Sequence, residues 1–177
     1  IVGGKGAMFD LPADTALARI VAQIHERGGV VGAVCHGPAG LVNVRLKNGK
    51  PLVADRRLTG FTDEEEIVFG KKWRSDYPWL LESHLRTLGA KWEEMGLMMP
   101  KVVRDDRLVT GQNPYATAGT VEAIVSAMGR PLVARTPWRD ERSVNFAAEA
   151  LSRDPLVVRQ QLASQRSELE VDMIGLL

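Results

Sequence analysis

The residues with chemistry to offer stand together in Gly28–Gly40, GGVVGAVCHGPAG. Cys35, the chain's only cysteine, is followed directly by His36, so a sulfur nucleophile and an imidazole that can hold or release a proton are neighbours. A glycine pair, Gly28-Gly29, closes the preceding segment, a short apolar run rich in β-branched residues follows, and Gly37-Pro38 opens a helical pattern. This is the sequence form of a strand, a sharp turn and a helix, with the reactive residue on the turn. A cysteine there sits just beyond a strand's carboxyl end, beside the free N–H groups of a helix start, which favour a thiolate. Proline early in that helix sacrifices no hydrogen bond. The bland alternative is a small buried cysteine, the usual fate of a lone Cys, but the adjacent histidine and the turn chemistry favour the reactive reading.

A second glycine-rich turn, Gly3-Gly4-Lys5-Gly6, follows Ile1-Val2. Consecutive N–H groups in such a turn can converge on an anion or a developing oxyanion, though a plain tight turn explains the residues equally well. The apolar opening runs straight into this turn and reads as the end of a strand whose beginning is absent. Further along, Thr62-Asp63-Glu64-Glu65 fits a capping box, Thr62 capping and Glu65 reaching back, with the acids expected in solvent at a helix start. Glu66 stands one position beyond, and nothing local explains it.

The positioning elements follow from periodicity. Asp14–Arg27 is expected to be an amphipathic helix with Leu17, Ile20, Val21 and Ile24 on its buried face, stopped by Gly28-Gly29, and His25 solvated beside it. A short helix is expected over Pro38–Leu46, then a Lys47–Lys50 turn. Lys71–Tyr77 reads as loop, and Pro78–Gly89 as a helix with Leu81, Leu85 and Leu88 inward and His84 at the edge. Ala90–Glu94, Val102-Val103 and Arg107–Thr110 read as short strands, the last two joined at Asp105-Asp106. Gly111–Pro114 is a loop at a strand's carboxyl end, where open α/β sheets contact ligands. Tyr115–Met128 is expected to bury Val121, Ile124, Val125 and Met128; Met95, Met98 and Met99 fill gaps. From Arg130 the chain changes character, with Pro131, Pro137 and an Asp154-Pro155 cap before a helix over Pro155–Glu170.

Composition bounds the function. At 177 residues, 45% hydrophobic, 25% charged and net charge +1, the chain resembles an ordinary globular protein, with no electrostatic case for nucleic acid or an anionic membrane. No apolar run approaches the ~20 residues that span a bilayer. A lone cysteine excludes an internal disulfide and suits a reducing cytoplasm. One Cys and three His without ligand spacing make a structural metal site improbable, so no metal is expected.

AVCHGPAG, with GGKGAMFDLP before it and LTGFTDEEE and RLVTGQNPYATAG after it, resembles the ThiJ/PfpI superfamily, which shares a class I glutamine amidotransferase-like fold. Within it the chain is most similar to the branch of glutathione-independent glyoxalase III enzymes and heat-shock chaperones. The resemblance covers residues 1 to 130. It implies an α/β, flavodoxin-like parallel sheet with helices on both faces, an amidotransferase-like core over 1–130 lacking its N-terminal strands, which are expected as a separate segment, and a C-terminal extension over 131–177. It also implies a homodimer that needs no cofactor. By the same resemblance Cys35 is the nucleophile, His36 its acid–base partner and Glu66 the acid that orients the histidine. Gly3, Gly4 and the His36 backbone form an oxyanion hole, and Lys5, where the family commonly has His, is expected to bind substrate by fixing a positive charge that can hold an anion but does not shuttle protons near neutral pH. The implied reaction turns methylglyoxal or a related 2-oxoaldehyde into a 2-hydroxy acid through a cysteine hemithioacetal. The alternatives are a stress-related holdase or cysteine redox sensor, or an amidohydrolase or peptidase on the same fold.

Overall fold

The computed structural model describes residues 1–170. Helix α1 (Ala7–Asp10) follows the first glycine turn, and α2 spans Thr15–Glu26. Asp14 caps α2 by accepting from the N–H groups of Ala16 and Leu17 at 2.9 Å each, satisfying donors that have no partner inside the helix. Gly28, at φ +76°, ends it in a left-handed conformation that costs glycine nothing, while Gly29 N–H closes onto Ile24 O. The chain then enters β1 (Val31–Val34) and a 3-10 turn over Gly37–Leu41, shorter than the helix expected to Leu46.

β2 (Arg57–Leu58), α3 (Asp63–Phe69) and, after a 3-10 turn over Lys71–Asp76, α4 (Leu81–Thr87) and β3 (Lys91–Trp92) come next. β4 (Val102–Asp105), β5 (Leu108–Gly111) and α5 (Thr117–Ala127) complete the core. β1 pairs parallel with β5 over Val31–Val34 and Leu108–Gly111, and β4 joins β5 as an antiparallel hairpin turned at Asp106, φ +53°. β2 and β3 form a second, two-stranded parallel sheet. Ile1 extends the edge of β1, its N donating to Gly32 O and its O accepting from Val34 N, the pattern of a parallel ladder.

Side chains alternate across β1. Val31 and Ala33 join Val21 of α2 in the core that also holds Leu41, Leu52, Leu58, Leu85 and Leu108. Gly32 and Val34 face α5: a Cβ on Gly32 would strike Ile124, and one on Gly111 would meet both Thr120 and Val34. Helices therefore cover both faces of the sheet. Glycine at 32 and 111 is what lets α5 lie so close.

Several expected faces differ. On α2 only Val21 is buried, Leu17 is partly so, and Ile20 and Ile24 are 51% and 41% exposed. On α5 Thr120 and Ala127 are buried while Val121 and Met128 are exposed. Ile124 lies against Gly32 of β1 and Thr120 against Gly111 of β5. His25 is not solvated but partly buried, its Nε2 3.0 Å from the Arg56 guanidinium. His84 stacks on Trp79, ring centroids 4.4 Å apart.

Beyond an extended stretch, α6 (Arg139–Ala150) and α7 (Pro155–Gln165) form the tail. α6, which no periodicity announced, is held to α5 by Arg135, which bridges Glu122 at 2.8 Å and Glu141 at 2.6 Å. Asp154 caps α7 through Leu156 N–H as its sequence indicated. Arg139 donates to Leu169 O and Ser143 Oγ accepts from Glu170 N, folding the chain back on α6. The remainder of the expected extension, residues 171–177, lies outside the described residues. No helix among the described residues is long and apolar enough to cross a membrane.

Candidate active site

Cys35 occupies the turn between β1 and the Gly37–Leu41 3-10 segment at φ +63°. That left-handed backbone is costly for a side-chain-bearing residue and lifts the thiol out of the strand. Two backbone hydrogen bonds hold the elbow there: Cys35 N–H donates to Gly111 O at 2.9 Å and Cys35 O accepts from Phe61 N–H at 2.9 Å; Gly60 leaves room for the turn, since a Cβ there would come within 3.1 Å of Cys35 O. Cys35 is partly exposed. The neighbouring His36 is turned inward and 2% exposed. Its Nδ1 is 3.4 Å from Cys35 Sγ, and its Nε2 is 2.7 Å from Glu66 Oε2.

Phe61 stacks on the imidazole with centroids 4.4 Å apart, and Tyr77 tilts against it at 6.1 Å. This apolar walling fixes the ring plane and excludes water from the His36–Glu66 bond. Burial pushes the imidazole's pKa down, but the hydrogen bonds and negative charges of Cys35 and Glu66 outweigh it, and His36 is raised to about 9. At neutral pH His36 therefore holds its proton between the sulfur and the carboxylate. Burial, with the charges of Glu66 and Cys35, lifts the Tyr77 phenol to about 12, so it stays neutral.

The Gly3–Gly6 turn packs directly on this elbow. A Cβ on Gly3 would lie 2.5 Å from His36 N and 2.6 Å from Val34 O, so only glycine permits the approach. Gly4 adopts φ +109°. Lys5 takes another direction: its ammonium donates to Phe69 O at 2.7 Å and Gly70 O at 3.1 Å, complementing the carboxyl end of α3. The fold thus brings Cys35, His36, Glu66 and Gly3 into one site, and ties Lys5 to the far end of the helix that carries Glu66.

The capping box forms as the sequence indicates, with Glu65 N–H on Thr62 Oγ1 and Thr62 N–H on Glu65 Oε2, both at 3.0 Å. Glu65, however, is not in solvent. It is fully buried and also accepts from Met98 N, Gln112 Nε2 and Asn113 Nδ2. Asp63 likewise has partners, accepting from Ser83 Oγ while its N–H donates to Glu82 Oε2 at 3.0 Å. The amides of Gln112 and Asn113, on the loop expected to face a ligand, are spent on Glu65, and both residues are fully buried. Nothing local points to Phe61 and Tyr77 as walls of the histidine, because both come from chain 25 or more residues away from His36.

Among known proteins, the model of the DJ-1/PfpI family matches residues 1–127. Glyoxalase 3 of Candida albicans is 35% identical over 133 residues, covering 70% of this chain and 54% of that protein. The glutathione-independent glyoxalase HSP31 of Saccharomyces cerevisiae is 36% identical over 131 residues, covering 71% and 54%. The chain thus spans about half the length of the curated relatives it matches. Among solved structures, the Candida albicans glyoxalase III superposes with a TM-score of 0.66 at 34% identity, over 71% of this chain and 54% of that one. The Rapid Encystment Protein 24 kDa of Francisella tularensis gives 0.68 at 34% identity, over 72% and 57%. The fold, the elbow and the matched span agree: this chain belongs to the DJ-1/PfpI family.

Proposed function

We propose that this protein is a glutathione-independent glyoxalase of the glyoxalase III kind, converting methylglyoxal or a related 2-oxoaldehyde to a 2-hydroxy acid. The observation that carries the reading is the chain of contacts from Cys35 Sγ to His36 Nδ1 at 3.4 Å and from His36 Nε2 to Glu66 Oε2 at 2.7 Å, on an elbow at φ +63°. The named activities of the relatives support it.

The Cys35 sulfur adds to the aldehyde carbon while the His36 proton passes to the aldehyde oxygen, giving a neutral hemithioacetal. The backbone N–H groups of Gly3, Gly4 and His36 hold that oxygen as charge develops, each such donor being worth about 3 kcal/mol. His36, now neutral, removes the C–H proton of the hemithioacetal carbon to give an enediolate; the imidazolium, after exchanging its proton with solvent, protonates the adjacent carbon while the hemithioacetal O–H proton passes to the former ketone oxygen. A well-placed base of this kind contributes ~100- to 10,000-fold. The product is a thioester of the 2-hydroxy acid on Cys35; water cleaves it, and the thiol is regenerated. The thiol that glutathione would otherwise supply is the protein's own. Glu66 keeps Nδ1 aimed at sulfur and stabilises the imidazolium. A cytoplasmic homodimer belongs to the same proposal.

Proton NMR of methylglyoxal with the protein in deuterated water, without added thiol, tests the scheme. Lactate carrying deuterium at C2 is expected, because the proton on His36 exchanges. Absence of lactate overturns the activity, and lactate with only protium at C2 overturns the enediol route. A holdase reading has one observation of its own: Ile67, Val68 and Phe69 of α3, and Trp73 just after it, are large apolar side chains left exposed.

A further inference from the structure

Glu65 does more than a helix cap requires. One carboxylate oxygen, Oε2, accepts the Thr62 N–H and completes the capping box. The other, Oε1, gathers three further donors: Met98 N at 3.0 Å, Gln112 Nε2 at 3.0 Å and Asn113 Nδ2 at 2.8 Å. The side chain is fully buried, and among the described residues no Lys, Arg or His is paired with it. A buried carboxylate without a cation is expensive to keep, and four N–H donors are what make it tolerable. Met98 makes its contact from φ +56°, a left-handed backbone that a non-glycine residue adopts only when its surroundings compel it.

The donors come from three segments: Thr62 at the start of α3, the loop at Met98, and Gln112-Asn113 just after β5. Gly111, next to Gln112, accepts the N–H of Cys35. Glu66, next to Glu65, holds His36. A closed circuit results: Cys35 to Gly111, along the chain to Gln112 and Asn113, across to Glu65, along to Glu66, across to His36 and back to Cys35. Glu65 joins the strand end that fixes the nucleophile's backbone to the helix start that fixes the histidine's acid, reinforcing the Thr59 N–H to Thr110 Oγ1 and Phe61 N–H to Cys35 O bonds that lie just before that helix.

We infer that Glu65 is a positioning residue for the Cys35–His36–Glu66 site, its buried carboxylate locking the start of α3 to the Gly111–Asn113 segment so that Glu66 meets His36. The inference rests on the glyoxalase reading only for its kinetic consequence. An amide cannot replace this acid. Glu65→Gln turns one end into a donor, which either faces the Thr62 N–H or faces three converging N–H groups. Glu65→Asp keeps the charge but is one methylene too short to span both sides.

The test measures, for wild type, Glu65→Gln and Gln112→Ala, the His36 titration by NMR, kcat and KM with methylglyoxal, and thermal unfolding. Gln112→Ala removes one donor and leaves the carboxylate, so it carries the test should Glu65→Gln fail to fold. In a folded variant the His36 midpoint is expected to fall by about 1 pH unit or more as Glu66 loses its register. kcat should drop ~10- to 100-fold with KM within about 3-fold, the signature of misplaced rather than missing groups. A folded Glu65→Gln, or failing that Gln112→Ala, with the wild-type His36 midpoint overturns the positioning role. A wild type that makes no lactate overturns the glyoxalase reading alone, since the His36 midpoint decides the role of Glu65 without any substrate.

Discussion

Glu66→Gln isolates the electrostatic part of the site. The amide is isosteric and its oxygen can still accept from His36 Nε2, so the 2.7 Å contact survives while the negative charge is lost. Raised from 6.5 to about 9, the wild-type imidazole holds its proton about 3 kcal/mol more tightly than a free one. That net gain is what remains after burial has opposed it, so the combined pull of Cys35 and Glu66 exceeds it. Glu66 supplies one hydrogen bond and one of the two charges, so losing its charge lowers the His36 midpoint; a loss of about 1.4 kcal/mol would read as about 1 pH unit. The His36 midpoint should therefore drop on that scale, and the imidazole should become largely neutral in mildly basic buffer. Turnover should fall without vanishing, because the ring is still oriented. NMR titration of His36, resolved from His25 and His84, alongside kcat against pH, reads both effects. A variant whose His36 titrates at the wild-type pH, or whose kcat is unchanged, would refute the assignment of Glu66 as the charge behind the histidine.

The same interaction links stability to pH. Because the folded protein binds the His36 proton more tightly than the unfolded chain, this stability is complete below pH 6.5 and is lost as pH rises through about 9, a decline of about 3 kcal/mol in urea unfolding; a flat profile in that window would contradict it. Gly3→Ala should lower both melting temperature and turnover, since its Cβ would come within 2.6 Å of His36 N and Val34 O; unchanged values would mean the turn does not press on the elbow. Lys5→Met removes the ammonium from the Phe69 and Gly70 carbonyls and should cost about 1 kcal/mol in denaturant unfolding, with kcat reduced far less than by Cys35→Ser; a loss of turnover as complete as that of Cys35→Ser would place Lys5 in the chemistry.

The elbow was legible because its determinants are local: glycines, a β-branched run, Cys35-His36 and a proline, all within Gly28–Gly40. Gly28 as a helix stop, the Thr62–Glu65 box, the Asp105-Asp106 hairpin and the Asp154 cap were legible for the same reason. Glu66 was not, except through its likeness to a family, because the contact that gives it meaning joins residues 30 apart. Burial was the main loss. A capping box has the same sequence whether its glutamate faces water or a ring of amides, so Glu65 passed for a surface acid. Periodicity names a helix's apolar face but not how much of it is covered, and Ile20, Ile24, Val121 and Met128 stand exposed on faces expected to be buried. α6 escaped notice because RDERSVNFAAEA carries no continuous apolar stripe; Val144 and Ala147 alone are its buried apolar contacts.

The central claim is that the Cys35 sulfur forms the bond that starts the reaction. The rate of lactate formation from methylglyoxal, without glutathione or other thiol, is measured for wild type and for Cys35→Ser, with thermal unfolding confirming that the variant keeps its fold. Steady turnover is expected from wild type and none above the uncatalysed background from Cys35→Ser. Substantial lactate from folded Cys35→Ser would contradict it, because the reaction would then proceed without the nucleophile on which every later step depends.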